Sequence, residues 1–284
     1  TPNDDTSITC RTPAWLFAAT DNPTTLYLME KENNDILWLG STRTWTYIIT
    51  YKAISRSTGY ANGAHSVTVS GNGFNIARSD YRCRFVDTKG RTRYSEYTKP
   101  TSGTQITCRT PVWIYSASEN PTTLYLMEYS NNDITWRGSA RTWTFIVTYR
   151  AISISTGYAD GTHSVTVYGN GFNIDGWSDY RCRFRDEKGN TAYSAAISSS
   201  SDTHMTCRSP VWYFAATHKP TTLYLMEHMN NDVTWVGAAR TWIYQVNYHS
   251  AATSTKSSNS KGGKSVVLTG NGFDSERSDY TCVF

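Results

Sequence analysis

Apolar and polar positions alternate in short runs along this chain. In Ser164-Val-Thr-Val-Tyr168 the valines share one side, and the run stops at Gly169-Asn-Gly-Phe172. Side chains point to opposite faces along a strand. Tyr180, Cys182 and Phe184 therefore fall on one face, and Arg181, Arg183 and Arg185 on the other. Ile106 and Cys108 share a face in a strand that ends at Pro111. Leu124 and Leu126 alternate with Tyr125 and Met127, and Trp143, Phe145, Val147 and Tyr149 alternate with Thr142, Thr144, Ile146 and Thr148. No segment carries a convincing 3.6-residue apolar period. Asp186-Glu-Lys-Gly189 predicts a hairpin turn, and Asn131-Asn-Asp133 a second turn. Short strands separated by turn signals over about 100 residues predict a β-sandwich.

The pattern then repeats. Residues 8–76 align without gaps on 106–174 with 51 identities in 69 positions, and a third copy starts at Met205. Cys10, Cys108 and Cys207 open one motif, Thr-Cys-Arg-(Thr/Ser)-Pro. Cys83, Cys182 and Cys282 close another, Ser-Asp-Tyr-(Arg/Thr)-Cys, and both series step by 98 to 100 residues. That period is too long for a solenoid and suits one domain per repeat.

Taken in order, the Tyr-x-Ala-Ile-Ser strand, the Gly-rich loop, Val-Thr-Val-x-Gly-Asn-Gly-Phe, Tyr-Arg-Cys-Arg-Phe and Thr-Cys-Arg-(Thr/Ser)-Pro resemble the IPT/TIG domain, an immunoglobulin-like fold of plexin-type receptors and many cell-surface proteins. The resemblance covers almost the whole chain. It implies an all-β array of tandem immunoglobulin-like β-sandwiches, about 99 residues per repeat, and it sets their phase. Complete modules are expected at 48–146 and 147–246, with the C-terminal half of a module at 1–47 and the N-terminal half of one at 247–284. Within complete modules the pairs would be Cys83–Cys108 and Cys182–Cys207. Buried free thiols are the alternative, and zinc is disfavoured by the absence of Cys-x-x-Cys. Cys10 and Cys282 are left without partners in their own modules, which points either to further chain or to a bond between Cys282 of one copy and Cys10 of a neighbour.

Composition narrows the setting. Aromatic residues reach 14% and charged residues only 18%, the opposite of a disordered chain. No apolar run is long enough to span a membrane. The chain lacks an initiator Met and a signal peptide, so it is read as a mature product or as part of something longer. Regularly spaced cysteines suggest an oxidising, extracellular or cell-surface location. The net charge of +4 is spread along the chain, which argues against nucleic acid as partner. There is no Asn-x-Ser/Thr acceptor other than the proline-blocked Asn120-Pro-Thr122, and O-linked sugars are left open.

Candidate chemistry is sparse. Trp15, Trp113 and Trp212 recur after Cys-Arg-x-Pro-x, and Trp38, Trp136 and Trp235 after the Asn-Asn-Asp turn. These six are candidates for packing between modules or molecules, for core packing, or for stacking on glycans. Trp45, Trp143 and Trp242 read as core. Arg82, Arg84, Arg181 and Arg183 read as a solvated face paired with local acids. Glu30, Glu128 and Glu227 recur without an assigned role, while Asp35, Asp133 and Asp232 read as turn formers before calcium ligands. His65 and His163 give way to Lys264 in the third copy, a swap no general base tolerates. No catalytic residue, metal site or cofactor is expected. Arg141 to Ser153 contains no linker residues, so adjacent modules are expected to join stiffly. The expectation is an extracellular structural protein whose modules build a stiff rod, filament or surface coat, with head-to-tail assembly as one route and other copies of itself or further modules as partners. The alternative is a multivalent adhesion array that recognises glycans or a protein partner.

Overall fold

The computed structural model describes residues 2–4, 6–19, 23–32, 35–77, 80–117, 121–130, 133–174, 178–216, 220–229, 232–252 and 260–283. Two compact units form: residues 1–59, 63–112 and 120–144 make the first, and 60–62, 113–119 and 145–284 the second. Among the described residues every regular element is a strand, as the period-two alternation predicts.

The first unit holds a two-sheet sandwich. One sheet is ordered Gln105–Arg109, Ser66–Asn72, Thr50–Ile54; the other is ordered Thr58–Tyr60, Asp133–Ile146, Thr122–Ser130, Asp80–Val86, Thr92–Tyr94. The alternation read from sequence is visible in burial. Tyr81, Cys83 and Phe85 point inward, and so do Val67 and Val69 opposite Cys108 and Ile106. Trp143 completes this core, edge-on to Phe85 with ring centroids 5.6 Å apart. Ahead of this sandwich lie a short antiparallel pair, Pro2–Asp4 with Ser7–Ile8, and a longer hairpin, Thr24–Glu32 with Asp35–Trp45.

The second unit repeats the plan. Its sheets are ordered Thr148–Ile152, Ser164–Asn170, His204–Arg208 and Thr156–Tyr158, Asp232–Gln245, Thr221–Met229, Ser178–Arg185, Thr191–Tyr193. The short Thr156–Tyr158 strand runs parallel to the long Asp232–Gln245 strand, pairing Thr156 with Ile243. The hairpin expected at Asp186–Gly189 joins two antiparallel strands, with Asp186 accepting from the Asn190 backbone N–H at 2.8 Å. The turn read at 131–132 lies outside the described residues. A two-stranded ribbon, Asn247–Ala252 with Val267–Asn271, follows the sandwich.

Candidate functional site at the module junctions

The Gly-Asn-Gly-Phe motif closes a strand, and its second glycine makes a backbone contact that recurs in all three copies. Gly171 has φ +83°, a left-handed conformation that favours glycine. Its carbonyl accepts the Ala117 N–H at 3.0 Å, and a Cβ there would lie 2.7 Å from the Ala117 Cβ and 2.9 Å from that of Ala61. Within the first unit Ala19 N–H donates to the Gly73 carbonyl at 2.9 Å; within the second, Ala216 does the same to Gly272 at 2.9 Å. Each alanine follows its tryptophan (Trp15, Trp113 or Trp212) by four residues, and each glycine lies 54 to 56 residues further along the chain. The alanine and glycine are thus a matched pair of small residues that bring two backbones together. Nothing in the sequence period announced this role for the second glycine.

Further contacts support the last junction. Asn247 Nδ2 donates to Asp160 Oδ2 at 2.6 Å. Burial opposes ionisation of Asp160, but hydrogen bonds from Thr162 and Asn247 outweigh it and hold the carboxyl below the usual carboxylate range. Lys188 bridges to Glu276 at 3.2 Å at the mouth of a cleft of about 310 Å³ lined by Tyr213, Phe214 and Phe273.

The cysteines occupy two situations. Cys83–Cys108 and Cys182–Cys207 are disulfides, each spanning 25 residues and each tying the three-stranded sheet to the five-stranded one. Cys10 and Cys282 are free and exposed.

The tryptophans differ in burial. Trp113 and Trp212 are 0% exposed. Trp113 stacks on Phe145 at 4.7 Å, and Trp212 on Tyr244 at 4.8 Å. Of the three roles open to these two tryptophans, their burial favours core packing, since a buried ring presents no face to a sugar. Trp15, in the lone half-module, stacks on Tyr47 at 4.6 Å and is half-buried. Trp38 is exposed, edge-on to Tyr27. The side chains of Trp136 and Trp235, like those of Asp35, Asp133 and Asp232, lie outside the described residues.

Two features escaped sequence reasoning. Two of the three recurring glutamates are buried acceptors: the Tyr81 hydroxyl donates to Glu128 Oε1 at 2.7 Å, and Tyr180 to Glu227 Oε1 at 2.7 Å. The same hydroxyls accept the backbone N–H of Asn75 and Asn173. Only the recurrence of both residues in every repeat hinted at the pairing. Three of the recurring arginines also lie over tyrosine rings: Arg82 is 4.1 Å from the Tyr94 centroid, Arg84 is 5.9 Å from that of Tyr125, and Arg183 is 5.6 Å from that of Tyr224. Tyr51 and Tyr149 donate across the sandwich to the carbonyls of Leu124 and Leu223, at 3.1 and 3.0 Å. Burial pushes both phenols up to about 12, partly offset by Arg141 and Arg240 respectively.

Against this architecture, the IPT/TIG domain profile matches residues 50–133 and 148–234. The chain belongs to the IPT/TIG domain family. The matched segments start at the strands Thr50–Ile54 and Thr148–Ile152. IPT/TIG domains are typically non-enzymatic interaction modules. No curated protein matches the chain. Solved structures similar to it include the plexin A4 full extracellular region (12% identity, TM-score 0.28), with 85% of this chain and 21% of that one covered. A tetra-tandem repeat from the extending region of a large adhesion protein is similar at 10% identity and TM-score 0.29, covering 88% and 70%. A marsupial T cell receptor is similar at 12% identity and TM-score 0.26, covering 71% and 74%. The chain spans about a fifth of the plexin region. Among the described residues, no helix is long and apolar enough to cross a membrane, and no cluster of His, Cys, Asp or Glu is arranged to hold a metal ion.

Proposed function

We propose that the chain is an extracellular structural protein whose IPT/TIG modules, taken as 48–146 and 147–246 between two half-modules, are locked in series into a stiff rod or filament. The observation that carries this reading is the alanine–glycine clasp, which recurs three times with the same backbone hydrogen bond. A flexible array joins its domains through polar linkers. Here only Val147 separates the Asp133–Ile146 strand from the Thr148–Ile152 strand, and only Val246 separates Asp232–Gln245 from Asn247–Ala252. Such junctions leave few backbone torsions free to bend. The disulfides support an oxidising, extracellular or cell-surface setting. Near-identical repeats serve length and mechanical continuity. The reading is therefore of a protein that bears load and does not turn over substrate.

Electron microscopy of native material tests this. Regular filaments with an axial repeat of two to three modules are expected. Isolated globular particles, with glycan-array binding by the soluble chain, would replace the structural reading with the adhesion one.

A further inference from the structure

The two terminal half-modules carry complementary halves of one interface that the chain already makes twice internally. We propose that residues 247–283 of one copy dock on residues 6–45 of a second copy and complete an IPT/TIG sandwich between chains. The proposal rests on the structural reading above and gives it a joint.

The complete sandwiches state what such a joint must contain. Cys83 lies opposite Leu126 and is bonded to Cys108; Cys182 lies opposite Leu225 and is bonded to Cys207. By the repeat, Cys282 lies opposite Leu28 and meets Cys10. Tyr81 and Tyr180 each accept a backbone N–H and donate to a buried glutamate. Tyr280 already accepts the Asp274 N–H at 2.9 Å in its half-module, and the matching carboxylate is Glu30 at the other end of the chain. Tyr51 and Tyr149 reach the carbonyls of Leu124 and Leu223, which assigns Tyr248 to Leu26. Arg141 and Arg240 donate to the carbonyls of Lys52 and Arg150, which assigns Arg43 to His249.

Exposure marks the same groups. Leu124, Leu126, Tyr180 and Val167 are buried, but their equivalents Leu26, Leu28, Tyr280 and Leu268 are all open to solvent. Gly237 turns with φ +66° and lies against the Tyr149 backbone, whereas Gly40 makes the same left-handed turn, φ +72°, with nothing near the position of its absent Cβ. Its turn is built for a strand that another copy supplies. The two faces differ, so the contact is head-to-tail and does not close on itself by a two-fold axis.

The full chain, produced under oxidising conditions as a mixture of 14N- and 15N-labelled protein, provides the test. Non-reducing digestion and mass spectrometry are expected to find Cys10 peptides bonded to Cys282 peptides of the other label, and light scattering to find oligomers that grow with concentration. Two variants separate the faces. Leu28→Arg blocks the 6–45 face and Leu268→Arg the 247–283 face; each alone is expected to be a 31.9 kDa monomer, and their mixture a dimer of twice that mass. Because both side chains are exposed in the isolated chain, circular dichroism of each variant should match the parent. A strictly monomeric parent, a Cys10–Cys10 or Cys282–Cys282 bond, or a mixture that stays monomeric would overturn the proposal. A monomer whose modules nevertheless tumble as one body would remove this joint and leave the rod reading intact.

Discussion

At the scale of single residues, the second glycine of Gly-Asn-Gly-Phe carries more than its motif suggests. A side chain at Gly171 meets two alanine methyls and must also adopt a positive φ. Overpacking a tight contact costs about 1–3 kcal/mol, and an L-residue in the left-handed region adds about 1 kcal/mol or more. Gly171→Ala is therefore expected to lose about 2–4 kcal/mol in urea denaturation. Ala117→Gly in the same chain should recover part of that loss, which a double-mutant cycle measures. A loss below about 0.5 kcal/mol, ordinary for a surface change, would show that the clasp is not tight. The sequence shows the glycine but not its partner, because the alanine lies 54 residues away and looks unremarkable in its own segment. Tyr81 and Glu128 pose the same problem: both recur visibly, yet a separation of 47 residues hides the hydrogen bond between them. Trp113 poses a different problem. Its regular recurrence left core and surface roles equally open, and only the fold shows the ring fully buried against Phe145.

At the scale of elements, strand pattern was readable wherever one face is buried. Tyr180, Cys182 and Phe184 face the core as the alternation requires. What alternation does not encode is which strands pair. The parallel contact of Thr156–Tyr158 with Asp232–Gln245 joins segments about 87 residues apart, and no local turn signal marks it. The disulfides fix the sheets on which such pairings depend. Each closes a loop of 25 residues, worth about 3 kcal/mol on the chain-entropy model. Replacing Cys182 and Cys207 together by Ala is expected to lower unfolding free energy by about that amount, without changing the far-ultraviolet circular dichroism at low temperature. Stability equal to the parent's under oxidising conditions would contradict the bridge's structural role.

At the scale of the whole molecule, the unit of organisation is not the simple sequence period. Counting from the first residue gives three repeats, but the sandwiches begin inside that period, near Thr50 and Thr148. Strand alternation alone is the same whichever strand opens the module, so a phase could be proposed only through the family resemblance. In the proposed rod, the clasp and the absent linkers would hold successive IPT/TIG modules in one fixed arrangement. Residual dipolar couplings of the full chain in a weakly aligning medium test this. A single alignment tensor fitting the amides of 48–146 and 147–246 together is the predicted result, with Gly171→Ala weakening the agreement. Two independent tensors in the parent chain would contradict it and return the protein to a string of mobile modules.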